Sequence, residues 1–220
     1  MDNSIVFIAE IVGTVAFASS GAMLGIRKNL DLFGVIVLGL CVAVGGGILR
    51  DIILGLVPPG AFRDPSYSLV ALGTSILLFF VVYVKQEILN SRYLVIYEKV
   101  MNYCDAVGLG IFTVVGVYNA YCLGYRQKFF LVFLGMLTGI GGGVIRDVLA
   151  DTMPFILHKH IYAVAALAGA LVCTLLIRSN LYFSMAAGAA VIILIRMLAS
   201  RFCWDLPKPQ HETQRKEEKG

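Results

Sequence analysis

The sequence is poor in charge. Asp, Glu, Lys and Arg make up 15% of its 220 residues against 59% hydrophobic residues, and the mean hydropathy is +0.84. That is more apolar surface than one soluble domain can bury, so the chain reads as a polytopic membrane protein. Metal-ligand spacing is also missing. The five cysteines, Cys41, Cys104, Cys122, Cys173 and Cys203, are odd in number, scattered and never two residues apart. They are expected to be free thiols filling small apolar spaces, with no metal bound. His158 and His160, flanking Lys159 in a loop, are assigned no metal or pH-sensing role. No phosphate-cradling lysine loop, nucleophile elbow or dinucleotide fingerprint occurs, so neither an enzyme nor a cofactor is expected. The formal net charge of +4 comes without an aromatic-interleaved basic patch, which excludes nucleic acid as partner and leaves membrane topology as its cause. The start, Met1-Asp2-Asn3-Ser4, lacks a basic secretory stretch, so the first apolar run is expected to be retained as a helix.

What is present is a series of apolar runs at about Ile5–Ile26, Phe33–Leu54, Ser68–Val84, Asn102–Asn119, Phe129–Ala150, Ile161–Ile177 and Leu181–Leu198. At ~1.5 Å per residue each can cross, or nearly cross, a hydrocarbon layer of ~30 Å. Strand alternation is absent, which argues against a barrel. The expected fold is therefore all-α, a polytopic bundle of seven transmembrane helices. With seven crossings the termini lie on opposite faces. Eleven lysines and arginines then fall on the C-terminal side and four on the other, which places the C-terminus in the cytoplasm and the N-terminus outside a plasma membrane. Residues 1–204 form one transmembrane domain, and the charge-mixed tail 205–220 is expected to be disordered and cytoplasmic.

The chain repeats itself. Gly45-Gly46-Gly47-Ile48-Leu49-Arg50-Asp51 returns as Gly141-Gly142-Gly143-Val144-Ile145-Arg146-Asp147 at an offset of 96, and Pro58 meets Pro154 at the same offset. At an offset of 95 the first span meets the fourth, with Glu10 opposite Asp105, Phe17 opposite Phe112 and Gly21 opposite Gly116. The unit is three helices, about 5–84 and about 100–177, and the seventh helix, about 181–198, stands outside it. Three is odd, so the second copy enters the membrane from the opposite face, giving inverted repeats related by a pseudo-two-fold axis.

Each copy places glycines and charges where lipid tolerates neither well. An ionised group at mid-bilayer costs at least ~2.5–3.5 kcal/mol, and a helical glycine about 1 kcal/mol relative to alanine. The triplets read either as helix breaks or as close-packing surfaces. Arg50 and Asp51, like Arg146 and Asp147, are neighbours ~100° apart on a helix and poorly placed to pair with each other. Arg50 is therefore expected to face Asp147 or an acid of spans one and four, with Arg146 doing the mirror image toward Asp51, as a structural clamp or a pore lining. Glu10 and Asp105 add two intramembrane carboxyls. These six side chains total a formal minus two, which favours cations. Arg196 is expected to snorkel to the cytoplasmic surface. Thr14, Ser19, Ser20, Thr113, Asn119 and Thr138 either line a polar path or bond their own helix backbones. The outer segment Pro58–Pro65 reads as a simple turn in preference to a folded-back loop.

Two Gly-Gly-Gly-x-x-Arg-Asp copies in the second and fifth of seven spans, within inverted three-helix repeats, resemble the bacterial branch of the trimeric intracellular cation (TRIC) channels. The resemblance runs to about Arg201. It implies a homotrimer embedded in membrane lipid, each subunit holding its own pore lined by the second and fifth helices and conducting potassium and sodium ions. It also implies that the glycine triplets are kink points and that Arg50, Asp51, Arg146 and Asp147 lie near the conduction path. The same superfamily includes bacterial proteins labelled glycine transporters, so two alternatives stay open: a secondary transporter of a small zwitterion such as glycine, and a structural protein whose ion pairs only lock helices.

Overall fold

A computed structural model describes residues 3–84, 91–158, 161–202 and 204. Among them every regular element is helical: α1 Asn3–Arg27, α2 Leu32–Ile53, α3 Gly60–Arg63, α4 Ser66–Val84, α5 Ser91–Cys122, α6 Lys128–Leu149, α7 Phe155–His158, α8 Tyr162–Leu176 and α9 Leu181–Phe202. Six of these are long and apolar enough to cross a membrane. The sixth expected span is the short one: α8 has 15 residues, about 22 Å at ~1.5 Å per residue, against a hydrocarbon layer of ~30 Å. The fourth is longer than expected, because α5 begins at Ser91 and runs for 32 residues. The tail 205–220, Cys203 and His160 lie outside the described residues.

The turns show why the sequence folds twice in the same way. Asn29 (φ +56°) and Gly124 (φ +93°) occupy the left-handed region just past α1 and α5, and Gly55 (φ +71°) and Asp151 (φ +49°) do so past α2 and α6. Glycine, asparagine and aspartate are the residues that tolerate this region at a helix C-terminus. Each closes its helix with equivalent bonds: Leu56 N–H donates to the Asp51 carbonyl at 2.8 Å, and Thr152 N–H to the Asp147 carbonyl at 2.8 Å. The start of α2 is fixed by Asp31, whose carboxylate accepts the Gly34 N–H at 2.7 Å, the usual N-cap bond.

In the centre, α2 crosses α6 antiparallel. A side chain at Gly45 would meet Ile145, and one at Gly141 would meet Leu49; one at Gly46 would meet the Thr138 carbonyl, and one at Gly142 the Val42 carbonyl. Such reciprocal contacts, each residue touching its partner's equivalent, are the mark of a two-fold relation. Phe17 and Phe112 stack near the same axis with centroids 5.2 Å apart. Both helices run unbroken through their glycine triplets, so an unwound helix is corrected to a close-packed crossing. Without side chains the two backbones approach closely enough for van der Waals contact to replace the missing hydrophobic drive in lipid. α9 stands outside this symmetry and packs on α5 and α8, so it covers only the second repeat.

The four described cysteines are free. Cys173 is buried as expected, but Cys122 is exposed.

Candidate functional site: two related charge clusters

The first cluster joins α1, the C-terminal turn of α2, and α4. Arg50 Nε donates to Asp51 Oδ1 at 2.8 Å, and its Nη1 lies 3.9 Å from Glu10 Oε1. Tyr67 Oη donates to Glu10 Oε2 at 2.6 Å. The other Asp51 oxygen, Oδ2, accepts the Gly60 N–H at 2.7 Å and so anchors the first turn of α3. Beside this cluster is a cavity of ≈ 50 Å³, lined by Glu10, Thr14, Gly47, Arg50, Asp51 and Tyr67 with apolar neighbours that include Phe112. At ~10–15 Å³ per water it holds a few waters or one small ion with part of its shell.

The second cluster repeats the first on α5, α6 and α8. Arg146 Nε donates to Asp147 Oδ1 at 2.9 Å, its Nη1 meets Asp105 Oδ1 at 2.5 Å, and Asp147 Oδ2 accepts the Phe155 N–H at 2.8 Å. Two additions have no counterpart in the first cluster. Ser20 of α1 accepts a further bond from Arg146 Nη1, where the equivalent residue of α5, Val115, has no polar atom to offer. Arg196 of α9 brings Nη2 to 3.9 Å from Asp105 Oδ2 and places its guanidinium 4.7 Å from the centre of the Tyr162 ring. The Arg146 guanidinium in turn lies 4.5 Å from the centre of the Phe155 ring, within reach of a cation–π attraction. The result is sealed: Arg146 and Asp105 are 0% exposed and Asp147 1%, whereas Glu10 and Arg50 are 16% and 11% exposed.

These contacts correct the pairing expected from helical geometry. Each arginine pairs with its own sequence neighbour, because the flexible stem folds back so that the near nitrogen, Nε, reaches the adjacent carboxylate. Neither Arg50 to Asp147 nor Arg146 to Asp51 forms. With the crossing at Gly46 and Gly142 and the helices antiparallel, Asp147 lies opposite the Cys41–Val42 level of α2, about nine residues or ~13 Å of helix rise from Arg50. The other half of the expectation stands, since Arg50 meets Glu10 of span one and Arg146 meets Asp105 of span four. Arg196 does not snorkel: it is 3% exposed and faces Asp105. Counting it brings the interior from minus two to minus one.

The expected polar lining divides. Thr14 borders the cavity. Ser20 binds Arg146, and Thr138 donates to the Leu134 carbonyl of its own helix at 2.7 Å. Thr113 is buried against Gly139 at the α5–α6 contact, Ser19 is half-buried, and neither Ser19, Ser20, Thr113 nor Thr138 borders the cavity. Of the triplets, Gly47 faces the cavity, Gly143 faces Tyr162 and Asp105, and Gly45, Gly46, Gly141 and Gly142 make the crossing. Sequence reasoning missed the short helices α3 and α7, reading the first as a simple turn. The matched prolines Pro58 and Pro154, just ahead of both, carried that signal, since proline favours helix starts. It also missed Tyr67 and Tyr162, which stand 95 residues apart like Glu10 and Asp105.

The family described as Glycine transporter matches this chain twice, over residues 7–83 and 102–178, the two halves of the repeat. A UPF0126 membrane protein of Deinococcus radiodurans is 39% identical over 197 residues, 89% of this chain and 87% of the relative. Among solved structures, a prokaryotic TRIC channel is similar at a TM-score of 0.84 and 33% identity, over 93% of this chain and 100% of that one. A TRIC trimeric intracellular cation channel orthologue from Rhodobacter sphaeroides is similar at a TM-score of 0.82 and 31% identity, over 92% of this chain and 100% of that one.

Proposed function

The chain belongs to the glycine-transporter family and shares the fold of the prokaryotic TRIC channels, and from that premise we propose that it is a cation channel of the cell membrane, not an enzyme. The observation that carries the reading is the cavity beside Glu10, Arg50 and Asp51. It is a space large enough for water or a small ion, within the span of α1 and α2 and bordered by one more carboxylate than guanidinium, where a passing cation is stabilised and an anion repelled. Potassium and sodium are the ions proposed to permeate. The path runs within each subunit along α2 and α6, and the crossing at Gly46 and Gly142 is its narrow point. Similarity to a trimeric orthologue supports a homotrimer. The pairing of α8 with α4 by the repeat supports counting α8 as a seventh crossing, and the lysine and arginine bias supports an outside N-terminus and a cytoplasmic C-terminus.

A specific feature also favours a carrier. Glu10 and Arg50 stand side by side on the cavity wall and offer one charge each to the ammonium and carboxylate of a small zwitterion such as glycine, the substrate in the matched family's description. Reconstitution separates the two. Unitary current steps in planar bilayers, with potassium preferred over chloride, are expected of the channel. Saturable glycine uptake into vesicles without unitary steps would replace it with the carrier.

A further inference from the structure

The two clusters differ by one charge. In the second, Asp105 and Asp147 are balanced by Arg146 and Arg196, all at most 3% exposed. In the first, Glu10 and Asp51 face Arg50 alone, next to the cavity. The extra guanidinium comes from α9, outside the repeat, and so has no equivalent in the first half. It sits in a place with the marks of a cation site. Asp105 Oδ2 and the Tyr162 hydroxyl are buried there without a hydrogen-bond partner; the nearest Arg196 nitrogen stands 3.9 Å from Asp105 Oδ2, and the guanidinium lies over the Tyr162 ring face, the position a cation takes on an aromatic ring.

We propose that Arg196 is a built-in cation: its guanidinium fills, beside Asp105 and Tyr162 in the second repeat, the site that a small external monovalent cation occupies in the first, beside Glu10 and Tyr67. The second cluster is thereby closed to an external ion for as long as α9 stays docked, and the first is left to bind one. The identity of the external ion rests on the cation-channel reading; the role of Arg196 does not.

Thermal unfolding of the purified full chain in detergent tests both halves of the proposal. R196A is expected to melt several degrees below the parent. Millimolar guanidinium is expected to restore at least half of that loss, while N-methylglucamine at equal ionic strength restores none. The double variant D105N/R196Q, which removes one charge of each sign, is expected to fold and to ignore guanidinium. For the first repeat, the parent is expected to melt higher in potassium or sodium chloride than in N-methylglucamine chloride, and E10Q to lose that difference. An R196A protein indifferent to guanidinium would overturn the role of Arg196, as would a double variant no more stable than R196A, since Arg196 would then act by packing. A parent indifferent to the alkali cation would overturn the external site. Absence of unitary current in bilayers would remove the channel reading and leave these melting results intact, so the two failures are distinguishable.

Discussion

The first repeat holds its Glu-Arg-Asp-Tyr set beside a cavity, and the second holds its Asp-Arg-Asp-Tyr set in a sealed interior. The skeleton is the same in both: neighbour pairing of arginine and aspartate, a carboxylate oxygen capping a short helix, and an acid from the preceding long helix. What differs is supplied by few atoms. Ser20 reaches Arg146 where Val115 offers nothing in return, and α9 covers one half only. An inverted repeat sets the geometry of both sites, then, while a side chain that differs between the halves and a helix outside the symmetry bury one cluster more deeply than the other.

The largest expected difference between the halves lies in the arginines. R146M leaves Asp105 and Asp147 buried without the guanidinium that bridges them, a situation that costs about 3–5 kcal/mol in proteins. R50M removes the same chemistry beside a cavity that admits water, and is expected to cost less than half as much. Unfolding of the two variants in detergent measures the gap. Equal losses would break the comparison, because they would mean that the first cluster is as dry as the second.

That asymmetry was only partly legible in the sequence. The repeat itself was plain, because the glycine triplets and prolines recur at an offset of 96 and the acids, phenylalanines and glycines of the first and fourth spans at 95, and spacing survives divergence in side chains. Which acid meets which arginine was half legible. The repeat offers Glu10 and Asp105 as acids of spans one and four, but the ~100° separation of helix neighbours ignores the length of the arginine stem, which makes the neighbour pairs Arg50–Asp51 and Arg146–Asp147 possible. Arg196 was misread because its place near the end of an apolar run is compatible with snorkelling. Only the docking of α9 on α5 and α8 turns it inward, and no periodicity encodes that docking. The crossing of α2 and α6 was a similar case. Glycine triplets are compatible with breaking or with packing, and the decision comes from the Thr138 and Val42 carbonyls on the opposing helices.

The glycines sharpen the comparison at a smaller scale. A methyl group at Gly143 would press on the Tyr162 hydroxyl, 2.8 Å away and held in a ring that is 2% exposed, whereas one at Gly47 meets nothing nearer than Arg50 Nη2 at 3.9 Å. G143A is expected to destabilise by about 1–3 kcal/mol through overpacking. G47A is expected to be neutral or stabilising by up to about 1 kcal/mol through helix propensity, while narrowing the cavity and lowering conductance. G46A, against the Thr138 carbonyl, serves as the symmetric control, and G142A against Val42 should match it. Thermal unfolding reads all four. If G47A destabilises as much as G143A, the first cluster lacks the space the cavity implies.

The smallest expected effect separates the tyrosines, and here the two halves should differ in sign. Tyr67 donates to Glu10 at 2.6 Å, and a hydrogen bond to a charged group contributes ~1.5–3 kcal/mol when no solvent can replace it. Water in the adjoining cavity can take over part of that bond, so Y67F is expected to cost about 1 kcal/mol and to alter the cation dependence of stability, because Glu10 loses the donor that holds it. Tyr162 is the equivalent ring, but its hydroxyl is buried with no hydrogen-bond partner, so removing it discards a desolvated polar group. Y162F is therefore expected to be neutral or slightly stabilising, with the cation dependence unchanged. A loss on Y162F as large as that on Y67F would mean that the Tyr162 hydroxyl is satisfied by an internal water, and the second cluster would then hold water instead of being sealed by Arg196.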